Sequence, residues 1–349
     1  MDRSLLCFKL IKTATFAMHP FLRQSLLLAA LCAAAVSTRA EKLEPPSEVL
    51  HSPLVNVTAT EFVEVAAFGH VVFRRIKTLS GRDDALELID LIVPEELVHV
   101  LKPGSRQLIA WSAIGSDPLV PEGMRRDPAG ARLVVTTGLE PALFADTREN
   151  RALVRWDLGE SAWQQRRQLP RLLKLLDTPE AAVQTFAIAE IALRPSVVAA
   201  LDDAARDRLR AFAIEPRAPE NARALLLELV AQRAVELGEK GWSEVAEHIL
   251  SQTPVTASTA PGHESLVRQA FAVAESRAAT LSGESVERWL RSDSTALAET
   301  ALLTLRRTAP EREPLALEAA LSRSDLPAPT RSFLLDHQRR LRLMSTSSH

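Results

Sequence analysis

From residue 161 onward, apolar side chains recur with a helical period. In "ENARALLLELVAQRAVEL" (220–237), Asn221, Glu228, Gln232 and Glu236 form a polar stripe, with Leu226, Leu229, Val230 and Leu237 opposite. Only a repeat of about 3.6 residues gives that separation. "AAVQTFAIAEIAL" (181–193) is apolar nearly all round, the pattern of a helix sandwiched between neighbours. Its start is marked by Thr178 as a cap, Pro179 at the first helical position and Glu180 at the positive end of the helix dipole.

Between 47 and 160 the period is shorter. "FVEVAAFGHVVFRRIKTLSG" (62–81) holds two β-rich runs hinged at Gly69, with Val63, Val65 and Ala67 alternating on the first. On the second, Val71 and Phe73 share one face, and Val72 and Ile76 the other. Further strands are predicted in "ALELIDLIV", "RQLIAWSAI" and "ARLVVTT", with a short helix in "PEELVHVLKPGS" and a Pro/Gly-rich loop in "GSDPLVPEGMRRDPAGA". Strands in this number with one helix predict a small barrel. Their order resembles OB-like barrels, particularly netrin-type modules of secreted proteins. "IKTLSG" and "LKPGSRQLIAW" carry that resemblance, with Gln107 where those modules have tyrosine and without their cysteines.

The helical start recurs along the second half. "TPEAAVQTFAIAEI" at 178 is echoed by "APENARALLLELVA" at 218, "APGHESLVRQAFAV" at 260, "DSTALAETALLTL" at 293 and "LPAPTRSFLLDHQ" at 326. Each echo follows another candidate helix: "LPRLLKLLD", "AARDRLRAFAI", "WSEVAEHILS", "SVERWLRS" or "PLALEAALS". Helix pairs at this spacing predict a solenoid, in which neighbours cover one another's faces. The segment resembles HEAT-type repeats, most closely in "LLKLLDTPEAAVQTFAIAEIAL". The alternative is an irregular helical bundle. The expected fold class is therefore α+β and multidomain, an OB-like β-barrel over 41–160 followed by an α-solenoid of HEAT-like hairpins over 161–343, with a disordered tail at 344–349.

The N-terminus sets the expected compartment. The apolar run Leu26 to Val36 follows Arg23 and ends in small residues before Glu41. A bilayer-spanning helix needs about 20 apolar residues, so the run reads as a secretory signal over 1–40, cleaved after Ala40. A start at Met18 makes residues 1–17 either an extended basic start or a misassigned start codon. Both cysteines, Cys7 and Cys32, precede the cut. The processed chain then has no disulfide, cysteine nucleophile, thiolate metal site or stable membrane span. It is expected in a periplasm, if the source is Gram-negative, or outside the cell.

Charge narrows the partners. Residues 41–160 hold 13 Lys+Arg against 19 Asp+Glu, and 161–349 hold 24 of each. Neither half has the basic excess that a phosphate backbone demands, which argues against nucleic acid.

No catalytic, cofactor or metal spacing emerges. His248 and His263 belong to neither HExxH nor GxSxG, and His337 lies on the apolar side of the last helix. The pairs Asp83-Asp84, Glu95-Glu96 and Asp202-Asp203 sit at turns or helix starts, where carboxylates stabilise the dipole. Arg74, Arg75, Lys77 and Arg82 read as charges guarding a strand edge, with Phe68 and Phe73 the nearby aromatics. Arg339, Arg340 and Arg342 close the last helix, and Asn56 begins a glycosylation sequon. The expectation is an exported, non-enzymatic interaction or scaffold protein that needs no cofactor and binds a protein or peptide on its helical repeats. The rivals are an envelope enzyme of unrecognised type near the domain boundary and, last, a protease-inhibitor-like netrin module.

Overall fold

The computed structural model describes residues 44–346 apart from 54, 67–69, 82–86, 93–97, 99–100, 114–130, 134, 137–139, 142, 160, 234–235, 239, 257–261, 278 and 280. The signal segment with its cleavage after Ala40, Cys7, Cys32, Phe68, Gly69, Arg82, the Asp83-Asp84 and Glu95-Glu96 pairs, half of the expected 94–105 helix, nearly all of the Pro/Gly-rich loop, and residues 347–349 lie outside the described residues.

The fold is α+β, with an antiparallel sheet in the N-terminal part and mostly helices after it. After a short helix α1 (Pro46–Leu50) come β1 (Asn56–Val65), β2 (His70–Ser80), β3 (Leu88–Ile92) and β4 (Arg106–Ala113). The shorter strands β5 (Ala131–Leu133), β6 (Val135–Thr136), β7 (Glu140–Pro141) and β8 (Leu143–Ala145) follow. Strand β1 pairs antiparallel with both β2 and β4, and β2 pairs antiparallel with β3. Strand β5 lies parallel to β3 and antiparallel to β4, β8 adds to β4 on the side opposite β1, and β6 pairs with β7.

Both faces of β4 are buried, which explains its unbroken apolar run "LIAW". Leu108 and Ala110 join the core shared with the helices, whereas Ile109 and Trp111 join Phe62, Val71, Phe73, Ile89 and Leu91 in a second core. Strand β1 serves both cores through its two alternating faces, and its register against β2 shifts three times, the last between Phe62 and Glu64. Val57 and Ala59 face the helices, and on the opposite face Phe62 meets Phe73 with ring centroids 5.8 Å apart. A bulge re-aims the side chains that follow it. The alternation of Val63 and Val65 therefore does not mark the buried face: Val65 is 48% exposed.

The helices are α2 (Arg148–Leu153), α3 (Ala162–Arg167), α4 (Leu169–Leu175), α5 (Ala181–Leu193), α6 (Pro195–Val198), α7 (Asp203–Ile214) and α8 (Glu220–Gln232). They continue as α9 (Trp242–Gln252), α10 (His263–Ser276), α11 (Gly283–Glu287), which runs into a 3₁₀ turn at Arg288–Arg291, α12 (Thr295–Thr308), α13 (Glu313–Leu321) and α14 (Ala328–Thr346). Helix α5 packs on α8, α8 on α10, α10 on α12 and α12 on α14. Beside them α7 packs on α9 and α9 on α11, while the 3₁₀ turn after α11 meets α13. Sequence neighbours α4–α5, α7–α8, α9–α10, α11–α12 and α13–α14 join the two rows.

The start of α5 differs from the expectation. The helix begins at Ala181, Glu180 is the N-cap residue, and the Thr178 hydroxyl donates to the Leu175 carbonyl rather than capping. Glu180 is drawn away from its own helix, because it accepts the Ala145 N–H at 2.8 Å and the Asn150 amide at 2.6 Å. It thereby ties β8 and α2 to α5. In α8, Asn221 is buried rather than part of a solvent stripe, since α10 follows Gly262 directly against it.

Helix ends leave carbonyls without intrahelical partners, and here later segments of the chain satisfy them. Arg223 Nε donates to Ala213 O at the end of α7, and Arg277 Nη2 to Val230 O in α8. The Trp289 indole and Arg288 both donate to Leu250 O in α9, and Arg331 to Leu321 O at the end of α13. Each bond links one helix to a later segment of the stack.

Candidate functional site

A cavity of about 520 Å³ opens where the start of the described chain meets the helices, lined by Ser47, Glu48, His51, Asp157, Gly159, Gln165 and Arg194. Its floor is an ion-pair network. Glu190, fully buried on α5, accepts the Ser47 N–H at 2.5 Å through Oε1 and Arg194 Nε at 2.8 Å through Oε2. Arg194 lies one turn later, its guanidinium 5% exposed. Its Nη2 donates to Ser47 Oγ at 2.9 Å, and its Nη1 pairs with Glu48 at 2.9 Å. A buried charge persists only when it is paired and hydrogen-bonded, and this guanidinium has a partner at each nitrogen. The network binds α1 to α5.

Around this floor stand groups with capacity left over. Glu48 is half exposed and Asp157 exposed, the latter accepting the Gly159 N–H at 2.7 Å. Gln165 donates to Gly159 O at 3.0 Å and accepts the Ser196 hydroxyl. His51 places Nδ1 2.7 Å from Ser47 O. The lining therefore offers two carboxylates, an imidazole and an amide about one saturated guanidinium. Glu190 was legible as the lone charge in an otherwise apolar helix, with Arg194 four residues on, but its partner Ser47 is 143 residues distant.

The residues singled out by sequence are dispersed. Asp202 caps α7 by accepting Ala205 N–H at 2.8 Å, and Asp203 pairs with Arg206 at 2.9 Å, in keeping with a helix-start role. His248 is exposed on α9. His263 is buried at the start of α10, with Nδ1 3.1 Å from Glu220 Oε1 and Nε2 3.1 Å from Pro254 O. Among the described residues, no group of three or more His, Cys, Asp or Glu is placed to hold a metal ion.

His337 joins three helices. Its Nε2 lies 2.8 Å from Glu313 Oε1 on α13 and 2.6 Å from Arg306 Nη2 on α12. Arg306 also grips Glu313 through Nε at 3.1 Å and Nη2 at 2.7 Å. That bonding holds the Glu313 carboxyl below the usual carboxylate range; burial opposes it and the His337 contact adds to it.

Arg74 faces Glu61 across β1–β2 at 3.7 Å, and Lys77 is exposed. Arg74 lies where β2 is paired with both β1 and β3, whereas Lys77 lies past the stretch of β2 that pairs with β3. At the C-terminus Arg339 pairs with Asp336 at 3.2 Å, and Arg340 and Arg342 are exposed. Asn56, in the sequon, is 8% exposed inside β1, so the folded chain withholds it from a modifying enzyme. No helix among the described residues is long and apolar enough to cross a membrane. No protein-family model, curated protein or solved structure matches this chain.

Proposed function

We propose that the chain is an exported, non-enzymatic interaction or scaffold protein that binds a protein or peptide on a helical-repeat surface. The carrying observation is the pair of helix rows, α5–α8–α10–α12–α14 beside α7–α9–α11–α13, the last joined through the 3₁₀ turn after α11, with each helix packed on its row neighbours and on a sequence neighbour. A HEAT-like solenoid is built in this way. Each hairpin covers the next, and the outer flank of each row stays open to a partner. For the OB-like barrel, support comes from pairing that passes from β1 through β2, β3, β5 and β4 and meets β1 again, with bulges of the kind that let a sheet curl. Export rests on the apolar run at 26–36 and the small residues after it.

The test is recovery of a stoichiometric partner by the purified full chain from an envelope extract. Capture is expected to weaken on charge reversal of Arg268 or Glu299, both exposed on row helices. An extract that yields no partner, together with metabolite turnover by the pure protein, contradicts the reading.

The junction cavity favours a second reading, an envelope enzyme with Glu48, His51 and Asp157 as its ionisable groups. On that reading Asp157→Asn abolishes a turnover detectable in a metabolite screen. On the first reading there is no turnover to lose.

A further inference from the structure

The first helices after the sheet, ahead of the two helix rows, carry a surface with a chemistry of its own. Residues 147–176 hold seven Lys+Arg and three Asp+Glu, a net charge of +4 in a chain whose total is −2. On α3 and α4, Trp163, Arg167, Arg171 and Lys174 follow one another at spacings of four, four and three residues. Gln168 between the two helices keeps a right-handed helical conformation, so the four form one stripe. All four are exposed, as is Arg166 beside them.

Two features set this stripe apart from an ordinary solvated face. Trp163 is 64% exposed, whereas the other four tryptophans are buried. The Arg167 guanidinium lies over its ring at 4.6 Å from the centroid, and Arg171 covers Trp156 in the same way at 3.9 Å. The stacking holds these long side chains outward, lowering the entropy they lose on meeting a ligand. Second, among the described residues none of Arg166, Arg167, Arg171 and Lys174 has a carboxylate partner. The acid nearest Lys174 in sequence, Asp177, is engaged by Arg208. Elsewhere several exposed arginines are matched, Arg307 with Glu275, Arg312 with Glu287 and Arg323 with Asp325.

We infer that this stripe is the docking surface for an acidic segment of a partner protein, with carboxylates on Arg166, Arg167, Arg171 and Lys174 and an apolar or aromatic side chain against Trp163. The inference rests on the protein-binding reading and names the chemistry of the partner. Exposed tryptophan beside arginine is the composition of interface hot spots, and the unmatched cations specify the sign of the partner. Four cations on a chain of negative total charge favour a short acidic peptide over a nucleic acid, which gains affinity through many phosphate contacts.

The experiment pans the immobilised full chain against a displayed random-peptide library, then measures the selected peptides by fluorescence anisotropy. Selected sequences are expected to be enriched in Asp and Glu beside a large apolar residue. Their affinity is expected to fall about tenfold or more in Trp163→Ala and in the double variant Arg167→Gln with Lys174→Gln, and to weaken with added salt. Both variants alter exposed side chains, and unchanged thermal melts verify the fold. Selection without acidic enrichment, or acidic peptides bound equally by wild type and variants, overturns the inference. So does stripe-dependent binding of a DNA duplex or a phosphatidylglycerol vesicle that exceeds binding of the peptides. Neutral peptides bound elsewhere sink this inference while leaving the protein-binding reading intact. A chain that retains no peptide and recovers no partner from the extract sinks both.

Discussion

Removing the Glu190 carboxylate probes the joint between α1 and α5. In Glu190→Ala the N–H of Ser47 loses its acceptor, and Arg194, 5% exposed, keeps only Glu48 as counter-charge, itself 54% exposed. A half-exposed carboxylate is screened by water and compensates a buried guanidinium poorly. Breaking a buried pair from one side costs about 3–5 kcal/mol, because the remaining charge stays buried. Glu190→Gln keeps an oxygen for Ser47 but turns its NH2 toward the Arg194 Nε–H, losing that hydrogen bond with the charge, for a cost of roughly 2 kcal/mol, the range of a hydrogen bond to an ionised group. Glu190→Leu combined with Arg194→Met removes both charges and is expected to be less harmful than Glu190→Ala. Urea unfolding of the three variants gives the order, and limited proteolysis locates the change. Segment 44–50 becomes cleavable in Glu190→Ala before the helices unfold. A Glu190→Ala protein within about 0.5 kcal/mol of wild type, the range of ordinary surface substitutions, refutes the reasoning.

The His337–Glu313–Arg306 cluster makes stability depend on pH. The folded Glu313 carboxyl is depressed by its bond to Arg306, so its contribution is present above the unfolded glutamate value of about 4.3 and is lost as pH falls through the lower folded value. Glu313→Gln is expected to flatten that limb of the urea-midpoint profile; an unchanged profile contradicts the assignment. Gly262→Ala is expected to cost more than about 1 kcal/mol in thermal or urea unfolding. Its φ is +90°, and a Cβ there would come 2.5 Å from the Asn221 backbone nitrogen; a variant of wild-type stability contradicts that packing. Mass-spectrometric reading of the exported protein is expected to begin at Glu41, and an intact N-terminus contradicts cleavage after Ala40.

Period carried much of this fold into the sequence. The alternation of "VVF" and the continuous run "LIAW" mark strands because one or both of their faces are buried. The apolar stripe of 220–237 marks a helix for the same reason. The bulge beside Phe62 was not legible, because a one-residue change of register depends on where Phe73 lies across the sheet. Strand β8 and helix α2 escaped notice because they are too short to establish a period. Their place is fixed by Glu180, whose sequence neighbours made it look like a helix-dipole residue.

The junction network was half legible. A glutamate in an apolar helix with an arginine one turn later announces an ion pair, but nothing local names Ser47 as the third member. The arginine and tryptophan bonds to distant helix ends are hidden for the same reason, since Trp289 and Leu250 meet only after the helices stack. The stripe from Trp163 to Lys174 was open to inspection in the sequence. Its meaning depended on learning that Trp163 is exposed and that Asp177 turns to Arg208.

Chemical cross-linking of the native envelope, followed by mass spectrometry of the full chain, tests the central claim most directly. A helical surface that holds another protein yields one partner in stoichiometric amount, with its links confined to the exposed faces of α3–α14. Links scattered among many proteins without stoichiometry, or a bound small molecule recovered from the cavity beside Arg194 in place of a partner, contradict it.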